Sequence, residues 1–150
     1  MRKMANGTAI AWNQKAVLLM GPAGAGKSDL ALRLIDQGAL LIADDLVELT
    51  RDAGRVMAAF PGDAPPELKG RIEARGLGIV AVPAAEAPVE LALVIEATAP
   101  ADIERLPERE FSQWLEVDIP TIRLSFLEAS APTKVRLALS AISGSIIRPS

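Results

Sequence analysis

The sequence contains no cysteine and no histidine. Without cysteine there is no disulfide, no thiolate nucleophile and no Cys-ligated zinc. Without histidine there is no imidazole base, no Ser-His-Asp triad and no HExxH metalloprotease. Proton chemistry near neutral pH therefore falls to carboxylates or lysine. No uncharged apolar stretch is long enough to span a bilayer, and Arg2 and Lys3 precede no apolar run of signal-peptide length. The expectation is a cytoplasmic protein with no membrane partner. Any excess of positive charge is also missing: 16 Lys plus Arg face 19 Asp plus Glu, a net charge of −3, which argues against nucleic acid as the main partner. What is present is an ordinary globular composition. Of 150 residues 50% are hydrophobic and 23% charged, enough for one domain with a real core. Residues 1–150 are read as that single domain.

Hydrophobic patterning predicts an α/β fold with a mixed, partly antiparallel sheet flanked by helices. Residues 8–12 and 16–20 read as strands joined by a turn at Asn13 and Gln14. The second is a continuous apolar run, as a buried central strand would be. A helix over 28–37 carries Leu30, Ala31, Leu34 and Ile35 on one face, with Gly38 as its left-handed stop. A buried strand over 39–43 follows. Residues 47–51 and 55–59 flank a hairpin turn at 52–54, and 60–69, rich in proline, reads as a loop. Strands are expected at 78–82 and 89–95, an irregular segment at 97–107, and an antiparallel pair at 111–115 and 119–124. A last helix starts near Pro132, with Val135, Leu139 and Ile142 sharing a face.

Between the buried strand and the first helix lies Gly21-Pro22-Ala23-Gly24-Ala25-Gly26-Lys27-Ser28, which satisfies GxxxxGK[ST]. In such a P-loop (Walker A) the glycines let successive backbone N–H groups turn inward at phosphate oxygens, and the helix adds its positive N-terminal end. Lys27 is expected to reach the β- and γ-phosphates of ATP, and the Ser28 hydroxyl to bind Mg²⁺. A strand-to-helix position is the context the motif requires, so a purely structural glycine turn is the weaker reading.

A second apolar strand delivers Asp44 and Asp45 at its end, where open α/β sheets place ligands. One carboxylate suits a proton acceptor for an attacking hydroxyl, the other a metal ligand, direct or through water. Glu73-Ala74-Arg75-Gly76-Leu77-Gly78 is a third candidate. Glu73 offers a Mg²⁺ ligand, Arg75 a positive charge for phosphate, and the glycines close backbone approach; a surface turn explains it equally well. Asn6 and Asn13 are the only asparagines, so no guanine-reading NKxD exists, and no LSGGQ, HRD or DFG set is present. Trp12 and Trp114 are expected to pack rather than stack on a base, and Lys134 and Arg136 to be solvated helix charges.

Three segments together resemble the HPr kinase/phosphorylase family: the loop continuing into Ser28-Asp29-Leu30-Ala31-Leu32, the stretch from Gln37-Gly38-Ala39 through Asp44-Asp45-Leu46-Val47, and Glu73 to Ile79, which is similar to the family signature. The whole chain resembles the catalytic domain, in the short form without the usual N-terminal domain. The resemblance implies an ATP-dependent protein-serine kinase acting on the HPr phosphocarrier. It also implies the reverse phosphorolysis, in which inorganic phosphate attacks phosphoserine and yields pyrophosphate. By position it makes Asp44 the catalytic acid/base, Lys27 the phosphate-binding lysine, and Ser28 and Glu73 the Mg²⁺ ligands, with Arg105 near a further catalytic arginine. It further implies a homo-oligomer, usually a hexamer. Two features depart from the family. Asn6 stands where a catalytic His is usual, just before the first strand, and the 122–132 segment replaces an Arg/Gly/Asn-rich loop tied to dephosphorylation. The kinase direction is thus better supported than the reverse. A non-catalytic ATP sensor and a kinase for a small hydroxylated molecule are the rival readings.

Overall fold

The computed structural model describes residues 1–142. In chain order the elements are β1 (Arg2–Asn6), β2 (Thr8–Trp12), β3 (Lys15–Met20), α1 (Lys27–Asp36), β4 (Leu40–Ala43), β5 (Leu46–Asp52), β6 (Arg55–Ala59), β7 (Arg71–Ala74), β8 (Gly78–Ala81), β9 (Val89–Ala97), β10 (Glu110–Trp114), β11 (Val117–Leu124) and α2 (Ala131–Ser140). One mixed sheet runs β1-β5-β6-β9-β3-β2-β4, with β11 also pairing β9 and β10 pairing β11. β7 and β8 form a separate antiparallel hairpin.

The sheet is built around β3, whose residues 16–19 are fully buried because both faces are covered. β9 lies parallel to β3, and β11 parallel to β9. β2 is antiparallel to both β3 and β4, so β4 runs in the direction of β3. Four strands therefore end on one side of the sheet, at Met20, Ala43, Ala97 and Leu124. β9 carries β6 along its first residues and β11 along its last, which lets the sheet curl.

Two cores fill the two faces. On one, Ile10, Val17, Leu19 and Ile95 meet Leu30 and Leu34 of α1 and Val135 and Leu139 of α2. On the other, Leu18 and Val94 meet Val47, Leu49 and Val56 from the curled β5–β6 arm. Both helices thus stand on one face. None of the described helices is long and apolar enough to cross a membrane.

Most elements lie where the pattern predicts them. The Asn13-Gln14 and Ala53-Gly54 turns have two consecutive positive φ angles, as two-residue hairpin turns require. α1 closes at Gly38, whose N–H bonds the carbonyl of Ile35. The 60–69 segment is a loop apart from a short 3₁₀ turn at Pro66–Leu68. Two strands were not anticipated. β1 buries only Ala5 among its strongly shielded positions and is defined by pairing with β5, Met4 opposite Glu48. Consequently 8–12 is the second strand, and Asn6 ends the first, opposite Leu46. β7 sends Ile72 and Ala74 inward and leaves Arg71 and Glu73 outside.

Candidate functional site

β3 runs straight into the 21–28 loop, whose two ends pack against neighbours while Pro22, Ala23 and Gly24 are exposed. A Cβ on Gly21 would stand 2.8 Å from that of Ala97, at the end of β9, so only glycine lets the two strand ends meet. Gly26 has φ of 99° and caps α1 without any side-chain hydrogen bond. The first-turn N–H groups of α1 are thereby left for another acceptor, at the positive end of the helix dipole. The Lys27 ammonium folds back over the loop and donates to the carbonyls of Gly21 (2.5 Å) and Pro22 (3.1 Å). Both acceptors are neutral, and an anion would compete for the same donor on better terms.

Asp44 follows β4 directly. Its Oδ1 accepts hydrogen bonds from the hydroxyls of Ser28 (2.9 Å) and Thr8 (2.8 Å), and Ser28 also lies 3.2 Å from Oδ2. The loop, the end of β4 and the start of β2 are thus tied through one carboxylate. Thr8 is completely buried. It escapes a sequence reading because a β-branched residue opening an apolar strand looks like packing; only the β2–β4 pairing places its hydroxyl beside Asp44.

Asp45 is exposed and turns the chain with φ of 72°. Its carboxyl is raised above the usual range, first by partial burial, then by the charge of Asp44, with Glu73 adding to the rise and Lys27 opposing it. Glu73 is therefore within electrostatic reach of Asp45. Among the described residues, however, no three acidic side chains form a closed metal-ligand cluster. Ala74 is buried, whereas Arg75, Gly76, Leu77 and Gly78 form the exposed β7–β8 turn. Gly76 and Gly78 have φ of 95° and 117°, and a Cβ on either would meet nothing within 4 Å. The positive φ angles of the turn favour glycine at both positions.

Arg105 is exposed on the irregular segment after β9 and makes no hydrogen bond or ion pair among the described residues. Trp12 and Trp114 are half-buried. Arg136 lies over the Trp12 ring, and Trp114 Nε1 donates to Ser112. Arg136 also donates to Gln37, and Lys134 to Glu128.

A further piece reaches the loop from far along the chain. Arg33 on α1 is held by Asp29 (3.0 Å) and donates to the carbonyls of Phe126 and Glu128, the latter at 3.0 Å. This fixes the connection after β11 beside Gly26. No periodic signal marks a contact between residues so distant in sequence. Chemically, the assembled site offers backbone N–H donors and an ammonium for an anion, beside a carboxylate able to take a proton from a hydroxyl.

A family model described as the HPr Serine kinase C-terminal domain matches residues 1–135. The chain is 32% identical over 141 residues to an HPr kinase/phosphorylase of Bordetella petrii, covering 88% of this chain and 44% of that protein. It is 37% identical over 135 residues to one of Aromatoleum aromaticum, covering 83% of this chain and 42% of that protein. It therefore spans less than half the length of these curated relatives. Among solved structures, the Hpr(Ser) kinase/phosphatase from Coxiella burnetii superposes with a TM-score of 0.80 at 25% identity, covering 95% of this chain and 99% of that one. The mixed α/β fold with two helices is shared with that structure, and the chain belongs to the HPr serine kinase C-terminal domain family.

Proposed function

We propose that this chain transfers the terminal phosphoryl group of ATP to a serine of the HPr phosphocarrier protein, with Mg²⁺ as cofactor. The observation that carries the reading is Asp44, held by the Ser28 and Thr8 hydroxyls at the end of β4, beside a glycine loop whose lysine is free to exchange neutral acceptors for an anion. Gly21, Pro22, Ala23, Gly24, Ala25, Gly26, Lys27 and Ser28 hold the triphosphate. Ser28, Asp45 and Glu73 supply hard oxygen donors of the kind Mg²⁺ takes. Partial burial, and after it the charges of Asp44 and Glu73, raise the Asp45 carboxyl, and a cation there would offset the charge part of that rise. Bound Mg²⁺ would neutralise charge on the transferring phosphoryl oxygens.

In the transfer, the seryl oxygen forms its bond to the γ-phosphorus as the bond to the ADP oxygen breaks, and the seryl proton passes to Asp44. Thr8 pins Oδ1, so Oδ2 is the oxygen open to the incoming hydroxyl once Ser28 turns to other partners. A loose transition state needs such positioning more than a strong base. Lys27 neutralises the β- and γ-phosphates. Arg105 adds a further positive charge for the phosphates in this reading. Phosphorolysis of phosphoserine-HPr by inorganic phosphate, and assembly into a hexamer, follow from the family reading. A second reading, a non-catalytic ATP sensor, is favoured by Asn6 in place of the family's histidine.

The test is intact mass spectrometry of HPr incubated with this chain, ATP and Mg²⁺. One phosphoryl group on a serine is expected, with transfer reduced at least about a hundredfold by Asp44→Asn while ATP binding persists. Confirmed ATP binding without transfer to HPr would replace the kinase with the sensor.

A further inference from the structure

We infer that Leu127 is the floor of a nucleoside subsite, an apolar shelf on which the ribose and base of the bound triphosphate rest; this builds on the reading that the 21–28 loop takes the phosphates. Leu127 is 68% exposed, whereas the preceding Phe126 is 2% exposed and belongs to the core. An apolar side chain in water normally sits on a compliant loop or is covered by something. This one is held rigidly. Arg33 bonds the carbonyls on both sides of it, Asp29 braces Arg33, and Lys134 ties Glu128 at 3.1 Å.

Its position selects the occupant. A Cβ on Gly26 would stand 2.8 Å from Leu127 Cδ2, so the leucine lies against the last glycine of the loop. In the sheet, β4 with Asp44 lies on one side of β3, and β9 and β11 lie on the other. A triphosphate whose terminal group faces Asp44 therefore sends its nucleoside toward the β11 side, where Leu127 waits. The side chain carries no donor or acceptor, so it recognises a flat apolar face rather than the edge of a base.

The experiment is calorimetry on the full chain with ATP·Mg²⁺ and, separately, inorganic tripolyphosphate with Mg²⁺. Wild type should prefer ATP. Leu127→Ala should weaken ATP about fivefold, as expected for losing part of a leucine contact, and leave tripolyphosphate within about twofold. Arg33→Met, which frees both carbonyls and acts only through the loop's position, should give the same split. Equal affinity of wild type for the two ligands, or equal effects of Leu127→Ala on both, would overturn the shelf. Wild type that binds neither ligand would remove the triphosphate reading and the shelf with it.

Discussion

The 21–28 loop and the β7–β8 turn are both glycine-rich and conspicuous in the sequence, yet they are held differently. The loop is clamped at both ends, Gly21 against Ala97 and Gly26 against Leu127, and Lys27, Ser28 and Asp44 cross-link it, while its tip at 22–24 is exposed. The turn has Leu77 at its tip, 84% exposed, with open space around Gly76 and Gly78. Only its base is anchored, by Ile72 in the core shared with α1. A glycine motif therefore marks a backbone shape, and the neighbours decide how firmly that shape is clamped and cross-linked.

The largest effect should come from cutting the anchor. Ile72→Ala removes a fully buried side chain and should cost about 2–5 kcal/mol, whereas Leu77→Ala at the tip should fall within about 0.5 kcal/mol of wild type, both read by urea unfolding. Equal costs would mean that the turn is packed. A smaller effect should separate the two glycine sites. Gly24 and Gly76 have φ of 83° and 95°, and neither has a neighbour near a would-be Cβ. Alanine at either should cost about 1–2 kcal/mol of stability from backbone strain alone. Only Gly24→Ala should also weaken ATP in a binding titration; a matching loss for Gly76→Ala would draw the turn into the phosphate site.

The smallest effect concerns the charge between the two regions. The Asp45 carboxyl is raised in the folded state, so the folded protein holds that proton more tightly than the unfolded chain. Its destabilising contribution is absent below the ordinary value of 3.8 and comes on as pH rises through the folded value. Asp45→Asn, melted in metal-free buffer, should raise Tm more at neutral pH than at pH 3. A gain independent of pH would assign the change to the left-handed backbone at this position instead.

The parts legible in the sequence are those fixed by short-range pattern. β3, the loop, α1 and its Gly38 stop, and Asp44 at the end of β4 follow from local periodicity and turn chemistry. β1 was illegible because Arg2–Asn6 shows no alternation and exists through pairing with β5. β7 was hidden because four residues are too few to show a period, and Glu73 drew attention as a ligand rather than as an outward strand position. Thr8 and Arg33 act through partners distant in sequence, Asp44 in one case and the 126–128 carbonyls in the other. Arg105, named by resemblance, has no partner among the described residues to define a place for it.

The parallel pairing of β3 with β9 has a consequence for how the protein comes into being. Ala16 must find Leu91 across half of the chain, and closing so long a loop has an entropic cost that only late contacts repay. Until residues 89–97 leave the ribosome, β3 is paired only with β2, and the open apolar edge it presents invites association with other chains. The same strand that seats the glycine loop is thus the segment most in need of protection during synthesis.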